Sequence, residues 1–573
     1  MKKIFFGKLF GLTILMFMLL FTGASAEMYE GTGLGYDKDG IVLDVEIKDS
    51  KITDVKVKRA KESEFATPAI QEIAKKVIAT QSLDVDGISG ASLTSEGTKE
   101  AIEEAVKKSG ITLTTVTVQN VRTVEFPKET DVVVIGAGGA GLTSAIAAHE
   151  KGAKVILIEK TELLGGNTNY ATAGLNAAGT KIQEKLGVKD SPELFYEDTM
   201  KGGKNKNNKE LVRVLVNNSS AIVDWLIERG ADLSELTSTG GQSAKRTHRP
   251  TGGTAVGPNI VAALSKTAEN EKIDIRKGTK AIALVKTKNR IVGVKVREID
   301  GKEYTIKAKA VIVATGGFGA NAKMVEKYNP KLKGFGSTNN PAIVGDGIIM
   351  VEKVGGALVD MSEIQTHPTV VYNKTNMITE AVRGEGAILV NRDGKRFIDE
   401  LETRDVVSKA ILSQKGKSAF LIFDEDIRTK LKAADGYVKK GFAVEGTLEE
   451  IAAKIGTDTK TLEATLNKYN EAVKNKVDSE FNKKTLPKEL TGTKYYAIEV
   501  SPAVHHTMGG VRINTNAEVL GKNGRPIKGL YAAGEVTGGM HGANRIGGNA
   551  VADITVFGKI AGENAATYSK SVK

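Results

Sequence analysis

Residues 131–144 read DVVVIGAGGAGLTS, and Gly136, Gly138 and Gly141 stand there in the spacing G-x-G-x-x-G. The chemistry such a stretch serves is the binding of a pyrophosphate. The first glycine permits a tight turn, the second lets backbone approach the anion, and the third lets a helix pack on a strand. The helix start then faces the phosphate with unpaired N–H groups. Glu159 follows 18 residues after Gly141, where a carboxylate accepts the ribose hydroxyls of an adenine dinucleotide. A second chemical pair is Glu380 and Arg383. Three residues apart, they share one face of a helix, where an ordinary ion pair can form.

Those residues need elements to position them. The apolar run 132–135 predicts a short buried strand, residues 142–149 a helix of small residues, and residues 154–158 a second strand ending at Glu159. A glycine motif alone is weak evidence, but strand, helix, second strand and acid in that order make a dinucleotide-binding unit. After Glu159 come Gly165, Gly166, Asn167 and Thr168, then the small residues 171–178, against which a second phosphate or a flavin ring could lie. Residues 272–313 alternate strongly and read as more of the sheet. Residues 339–347 form a glycine–acid loop with Asp346, and residues 529–535 place Glu535 after a strand. Together these predict an α/β chain with a discontinuous, Rossmann-like FAD-binding domain.

At 573 residues there is room for several domains. Residues 1–26 have the order of a secretory signal: Lys2, Lys3 and Lys8, an apolar run over 9–21, then Ala24-Ser25-Ala26. The run falls short of the roughly 20 residues a spanning helix needs. There is no cysteine, which excludes disulfides, cysteine-ligated clusters and Cys-x-x-Cys-His haem sites. Removing the signal lowers the formal charge from +12 to +9, spread along the chain. That suits solubility or loose attraction to an anionic envelope, and no nucleic-acid partner is expected.

Residues 27–112 read as a small α+β domain, with strands at 40–47 and 52–57 and helices at 67–79 and 94–108. Residues 113–127 are a polar linker. Residues 86–92, DGISGAS, resemble the D-x-x-[ST]-G-A-[TS] signature of FMN-binding domains. In that family a flavin transferase esterifies FMN phosphate onto the last hydroxyl residue, usually a threonine. The resemblance therefore implies covalent FMN on Ser92, with Thr94 and Ser95 as neighbouring hydroxyls. Read without the family, Ser92 or Thr94 is a helix N-cap.

From about residue 128 onward the chain resembles the soluble flavoprotein fumarate reductases. The motifs that carry this are GGNTNYATAGLNAAGT, MKGGKN, HRPTGG, TEAVRGEGAILVNRDGKRF, TRD, HHTMGG and AGEVTGGMHGANRIGGNA. The resemblance implies an FAD-binding domain over 128–361 and 508–573, interrupted by an α+β clamp domain over 362–507. It implies FAD contacts at Gly136, Gly138, Gly141, Glu159, Lys160, Gly166, Asn167, Thr168, Gly174, Asp346, Glu535, Ala550 and Val551. Membrane-bound relatives attach FAD to a histidine in the segment matching 168–174. No histidine lies there, so FAD is expected without a covalent bond.

A dicarboxylate substrate needs a cation or donor at each end, a hydride at one alkene carbon and a proton at the other. Histidine offers a switchable charge and arginine a bidentate contact. Of the six histidines, the resemblance singles out His367, His505 and His506 for the substrate site. By resemblance, His367 and Thr379 clamp one carboxylate, while His506 and Arg545 clamp the other beside Arg404, with the Gly547 and Gly548 backbone nearby. The proton donor so implied is Arg404, with Glu380 and Arg383 as its relay. Arginine is an awkward acid, having a pKa above 12; the family argument rests on flanking charges.

The expected function is a secreted or envelope-facing fumarate reductase, taking electrons through FMN to FAD and giving succinate. A urocanate-type enoate reductase is the near alternative, although such relatives differ at the positions of His367 and Glu380. An electron-transfer flavoprotein without substrate chemistry is the distant one. The expected partners are a flavin transferase and a membrane-bound or diffusible electron donor.

Overall fold

The computed structural model describes residues 26–35, 40–62, 66–88, 91–116, 127–288 and 290–572. Apart from Ala26, the expected signal segment lies outside them. So do Ser89, Gly90, the side chain of Ser92, and residues 117–126 of the linker. Among the described residues no helix is long and apolar enough to cross a membrane.

The small domain has an antiparallel sheet of strands Glu27–Gly33, Ile41–Lys48 and Lys51–Ala60, covered by helices Thr67–Thr80 and Ser92–Ser109. Asp49 and Ser50 turn its hairpin with positive φ (51° and 58°), as a two-residue turn between twisted strands requires. The first strand, EMYEGTG, has no apolar alternation and sequence reading did not find it. Packing explains it: a Cβ at Gly31 or Gly33 would stand 1.8 or 1.9 Å from a carbonyl of the helix Ser92–Ser109. Backbone, not side chain, forms that contact. The apolar core of the domain is its own, from Ile41 and Leu43 to Ala105, with Leu163 of the larger body packed against it. Lys76 Nζ also pairs with Glu162 across this junction, at 3.0 Å.

The larger body is built on the strand Glu303–Val313. One side pairs in parallel with Glu129–Ile135, which continues in parallel to Val155–Ile158 and Asp274–Arg276. The other side pairs first with Ile291–Glu298, antiparallel, then with Pro526–Ala532, parallel. Helix Gly139–Glu150 lies against the long helix Asn549–Ser571. A Cβ at Gly562 would come 2.3 Å from Ser144 O, so the small residues there set how close the helices approach. In this way segments more than 400 residues apart in sequence meet beside the glycine motif.

The intervening chain builds an antiparallel sheet in the order Gln365–Val371, Tyr495–His506, Ala419–Asp424, Ile388–Val390. It has a separate apolar core, running from Val371 and Ile378 to Val500. Beside that core four charges are fully buried: Arg396 meets Glu400 (2.8 Å) and Asp478 (3.0 Å), and Lys483 meets Glu400 (2.9 Å). Removing one member of such a group leaves an uncompensated charge, which typically costs about 3–5 kcal/mol. Lys483→Met should therefore lower unfolding stability by about 3 kcal/mol in a denaturant titration followed by Trp-independent circular dichroism. An unchanged midpoint would mean the cluster is not coupled to the fold.

Candidate active site

The glycine motif behaves as its spacing requires. Gly136 has φ 98°, which its turn needs, and a Cβ on Gly141 would collide with Gly136 O at 1.8 Å. A Cβ on Gly138 would meet nothing nearer than 3.7 Å, so that face is left open for a ligand. Glu159 is nearly buried, and its carboxylate accepts from Ala137 N and Thr161 N, both at 2.9 Å. Lys160 Nζ reaches Asp346 at 2.5 Å. Thr168 Oγ1 accepts from Gly139 N (3.0 Å), and Asn167 Nδ2 donates to Asn339 (2.6 Å) and to Glu535 (3.1 Å). Gly174 packs its backbone on Thr247 and His248.

One open cavity joins these residues to the second set. Its wall carries Gly136, Gly138, Glu159, Lys160, Gly166, Asn167, Thr168, Gly174, Asp346, Glu535, Gly548, Ala550 and Val551, and also His367, Thr379, Glu380, Arg404, His506 and Arg545. A long cleft with a glycine-lined anion end and an acid at the ribose position fits an adenine dinucleotide. Gly141, Arg383 and Gly547 are not part of the wall. Gly547 lies just behind it, where a Cβ would stand 3.3 Å from Arg404 Nη2.

Arg404 opens the helix Arg404–Leu412 and projects into the cavity from the clamp side. Its Nε and Nη2 donate to Glu380 Oε2, and its Nη1 to Gln365 Oε1, each at 3.4 Å. Gln365 in turn donates from Nε2 to Asn544 Oδ1 and to Arg545 O, both at 2.8 Å. It thus ties the two arginines together. Sequence reading passed over Gln365, yet it precedes His367 by two on one strand, and residues i and i+2 share a face. Glu380 Oε1 also accepts from Gly240 N (3.3 Å). Burial resists ionisation of Glu380, but Arg404 and Arg383 outweigh it and hold its carboxyl below the usual range. Arg383 sits fully buried on the short helix Glu380–Gly384 and donates to Glu400 O rather than bonding Glu380. Thr379 N donates to Tyr437 OH at 3.0 Å, which anchors the start of that helix.

Histidine charge differs from the expectation. Burial first, then the charges of Arg404 and Arg383, drives His367 well below its ordinary value. Burial first, then Arg545, does the same to His506. Both are neutral donors or acceptors here, not switchable cations. Met508 N donates to His506 Nδ1 (3.1 Å), so the ring proton of His506 is on Nε2. His367 Nδ1 and Arg545 Nε are buried without a protein hydrogen-bond partner. Arg545 is pushed down to about 9, by burial and then by the charge of Arg404, and so remains a cation at neutral pH.

In the small domain, Ser92 begins the helix Ser92–Ser109. Thr94 and Ser95 are buried and engaged: Thr94 Oγ1 donates to Glu62, and Ser95 Oγ accepts from Ile88 N (2.9 Å) and donates to Ala91 O (2.8 Å). Leu93, next to Ser92, is 55% exposed. An open apolar side chain beside a helix start suits a phosphate-linked flavin.

Five histidines make acid stability predictable. His248 falls to about 4 through burial, against about 6.5 when unfolded, and His367, His505, His506 and His541 are lowered too. Such a group is neutral in both states above pH 6.5. Below that the unfolded chain takes up a proton that the folded chain refuses, and stability falls until the folded value is reached. His248 alone accounts for about 3 kcal/mol. Unfolding free energy should drop as pH goes from 6.5 to 4; a flat profile over that window would contradict the neutral assignment.

Comparison with known proteins agrees with this geometry. An FAD binding domain family matches residues 131–551, and an FMN-binding domain family matches residues 35–107. A Klebsiella pneumoniae (strain 342) protein named NADH:fumarate oxidoreductase is 44% identical over 538 residues, 93% of this chain and 58% of that protein. The chain thus spans little more than half of that relative. A Shewanella frigidimarina protein named fumarate reductase (cytochrome) is 51% identical over 442 residues, 77% of each chain. The open conformation of a flavocytochrome c3 fumarate reductase superposes with a TM-score of 0.69 at 44% identity, covering 77% of this chain and 78% of that one. The chain belongs to the flavoprotein family of the fumarate reductases, oxidoreductases acting on CH–CH bonds, and joins an FMN-binding domain to the FAD-binding one.

Proposed function

We propose that this flavoprotein reduces fumarate to succinate, with FMN on the small domain feeding electrons to FAD. The observation that carries the reading is that Arg404, Arg545, His367 and His506 share one cavity wall with the dinucleotide residues. The reading divides the chain at 27–112, 128–361 with 508–573, and 362–507, and the three separate apolar cores support that division. The order of residues 1–26 supports a site outside the cytoplasmic membrane. The electron donor is then a membrane partner or a diffusible carrier.

Gly136, Gly138, Glu159, Lys160, Gly166, Asn167, Thr168, Gly174, Asp346, Glu535, Ala550 and Val551 would hold FAD without a covalent bond, with Gly141 shaping the turn beneath it, and FAD so bound would supply a hydride with electrons received from FMN. The remaining work belongs to side chains. His506 offers its Nε2 proton and Arg545 its charge to one carboxylate. His367 and Thr379 take the other, with the Gly547 and Gly548 backbone close by. Arg404 delivers a proton to the second alkene carbon. The carboxylate of Glu380, 3.4 Å from two nitrogens of Arg404, returns the proton. Arg383, on the same short helix as Glu380, is the further member of the relay in this reading, although its own hydrogen bond goes to Glu400 O. The fumarate-type identities at His367 and Glu380 favour a dicarboxylate over urocanate, and a panel of unsaturated acids separates the two.

Arg404→Ala should abolish fumarate reduction by reduced viologen while FAD remains bound and reducible. A role confined to the transition state lowers kcat, whereas His506→Ala, which loosens binding, should mainly raise KM. Glu380→Gln should slow kcat with FAD content unchanged. Retention of more than about a tenth of the rate in Arg404→Ala would sink the proton assignment, since a positioned acid contributes at least about 10²-fold.

Co-expression with a flavin transferase should add one FMN, traced by intact mass and peptide mapping to Ser92. Acid precipitation should release FAD and leave FMN on the chain. An adduct at Thr94, or none that Ser92→Ala removes, would refute the attachment site.

A further inference from the structure

The loop between helices Pro192–Gly202 and Lys209–Glu228 touches both halves of the site, and nothing above gives it a role. On one side it is bonded to the segment that presents Arg545. Asn544 Nδ2 donates to Gly202 O (3.2 Å), Ala543 N to Gly203 O (3.0 Å), and Asn207 Nδ2 to Met540 O (3.0 Å). A Cβ on Gly542 would stand 2.5 Å from Gly203 O, so the two strands of backbone are in direct contact. Lys204 and Asn205 both take the left-handed conformation (φ 56°), which fixes where the lysine leaves the loop.

On the other side the loop reaches the clamp. Lys204 Nζ pairs with Asp405, the residue after Arg404 in the first turn of its helix. Lys206 Nζ pairs with Glu363 at 2.8 Å, two residues before Gln365. Asp405 also accepts from Thr403 Oγ1 at 2.7 Å. Burial of Asp405 opposes its ionisation, but Lys204 and Thr403 outweigh this and hold its carboxyl below the usual range.

We infer that Lys204 is a positioning residue: through Asp405 it ties the helix that carries Arg404 to the segment that carries Arg545. It keeps the clamp in the arrangement in which both arginines face one substrate. The inference rests on the proposed role of Arg404 and adds a residue that touches neither substrate nor flavin. The pair is partly exposed, with side-chain exposures of 53% and 36%. Such pairs contribute modestly and are screened by salt, so the effect to look for is about two- to five-fold.

The test is steady-state fumarate reduction by the full, FAD-replete chain across a range of ionic strength. The variants are Lys204→Met and the charge reversal Lys204→Asp with Asp405→Lys. Lys204→Met should lower kcat about two- to five-fold at low salt, with KM changed less. The wild type should fall to that level as salt rises, while the variant stays flat. The charge reversal should regain most of the loss, and FAD content and Tm should match the wild type throughout. A Lys204→Met enzyme with wild-type kcat and salt profile overturns the inference, as does a reversed pair no better than the single variant. Arg404→Ala is run alongside: substantial activity there sinks the proton assignment, whereas an inactive Arg404→Ala beside a normal Lys204→Met sinks only the role of Lys204.

Discussion

Two guanidinium groups, those of Arg404 and Arg545, are confined to one buried cavity, and their mutual repulsion is the constraint around which the site is arranged. Burial and the charge of Arg404 already push Arg545 down to about 9. The acids available do not balance them fully. Glu380 is ionised beside Arg404, but burial pushes the carboxyl of Glu535 up, toward its neutral form. The neighbouring His367, His505 and His506 relieve the crowding by staying neutral. A cavity with surplus positive charge and unpartnered donors is a receptor for a dianion, because a dianion supplies the missing charge at both ends. That is the physical reason for preferring a dicarboxylate.

Geometry makes this arrangement depend on tertiary closure. Arg404 comes from the clamp, Arg545 from the end of the dinucleotide-binding body, and Gln365 hydrogen-bonds toward both. Neither arginine is positioned by its own local structure alone. The dinucleotide end is different: strand, glycine turn and helix are contiguous, and a Cβ on Gly141 or Gly136 would break the turn whatever lay elsewhere.

This contrast also sets what the sequence could reveal. The unit from Val132 to Glu159 was legible because turn, strand and helix have local signatures. The fold class was legible because long family motifs stand in the chain, and the same motifs, TRD for Arg404 among them, singled out side chains that the structure gathers around one cavity. Gln365 could have been found from its two-residue spacing to His367. The neutral state of the histidines could not, because it follows from burial that only the assembled chain creates. The strand Glu27–Gly33 was missed for the same kind of reason: its backbone is buried by a helix some 70 residues away. The pairing of Lys204 with Asp405 spans 201 residues and leaves no pattern in either neighbourhood.

The central claim is that the paired arginines divide their labour, one binding and one delivering a proton. A crystal structure of the FAD-loaded protein with succinate bound tests it most directly. The account predicts one carboxylate on His506 and Arg545, the other on His367 and Thr379, and Arg404 pointing a nitrogen at a methylene carbon. Succinate bound with a carboxylate paired to Arg404, and that carbon facing another group, would contradict it.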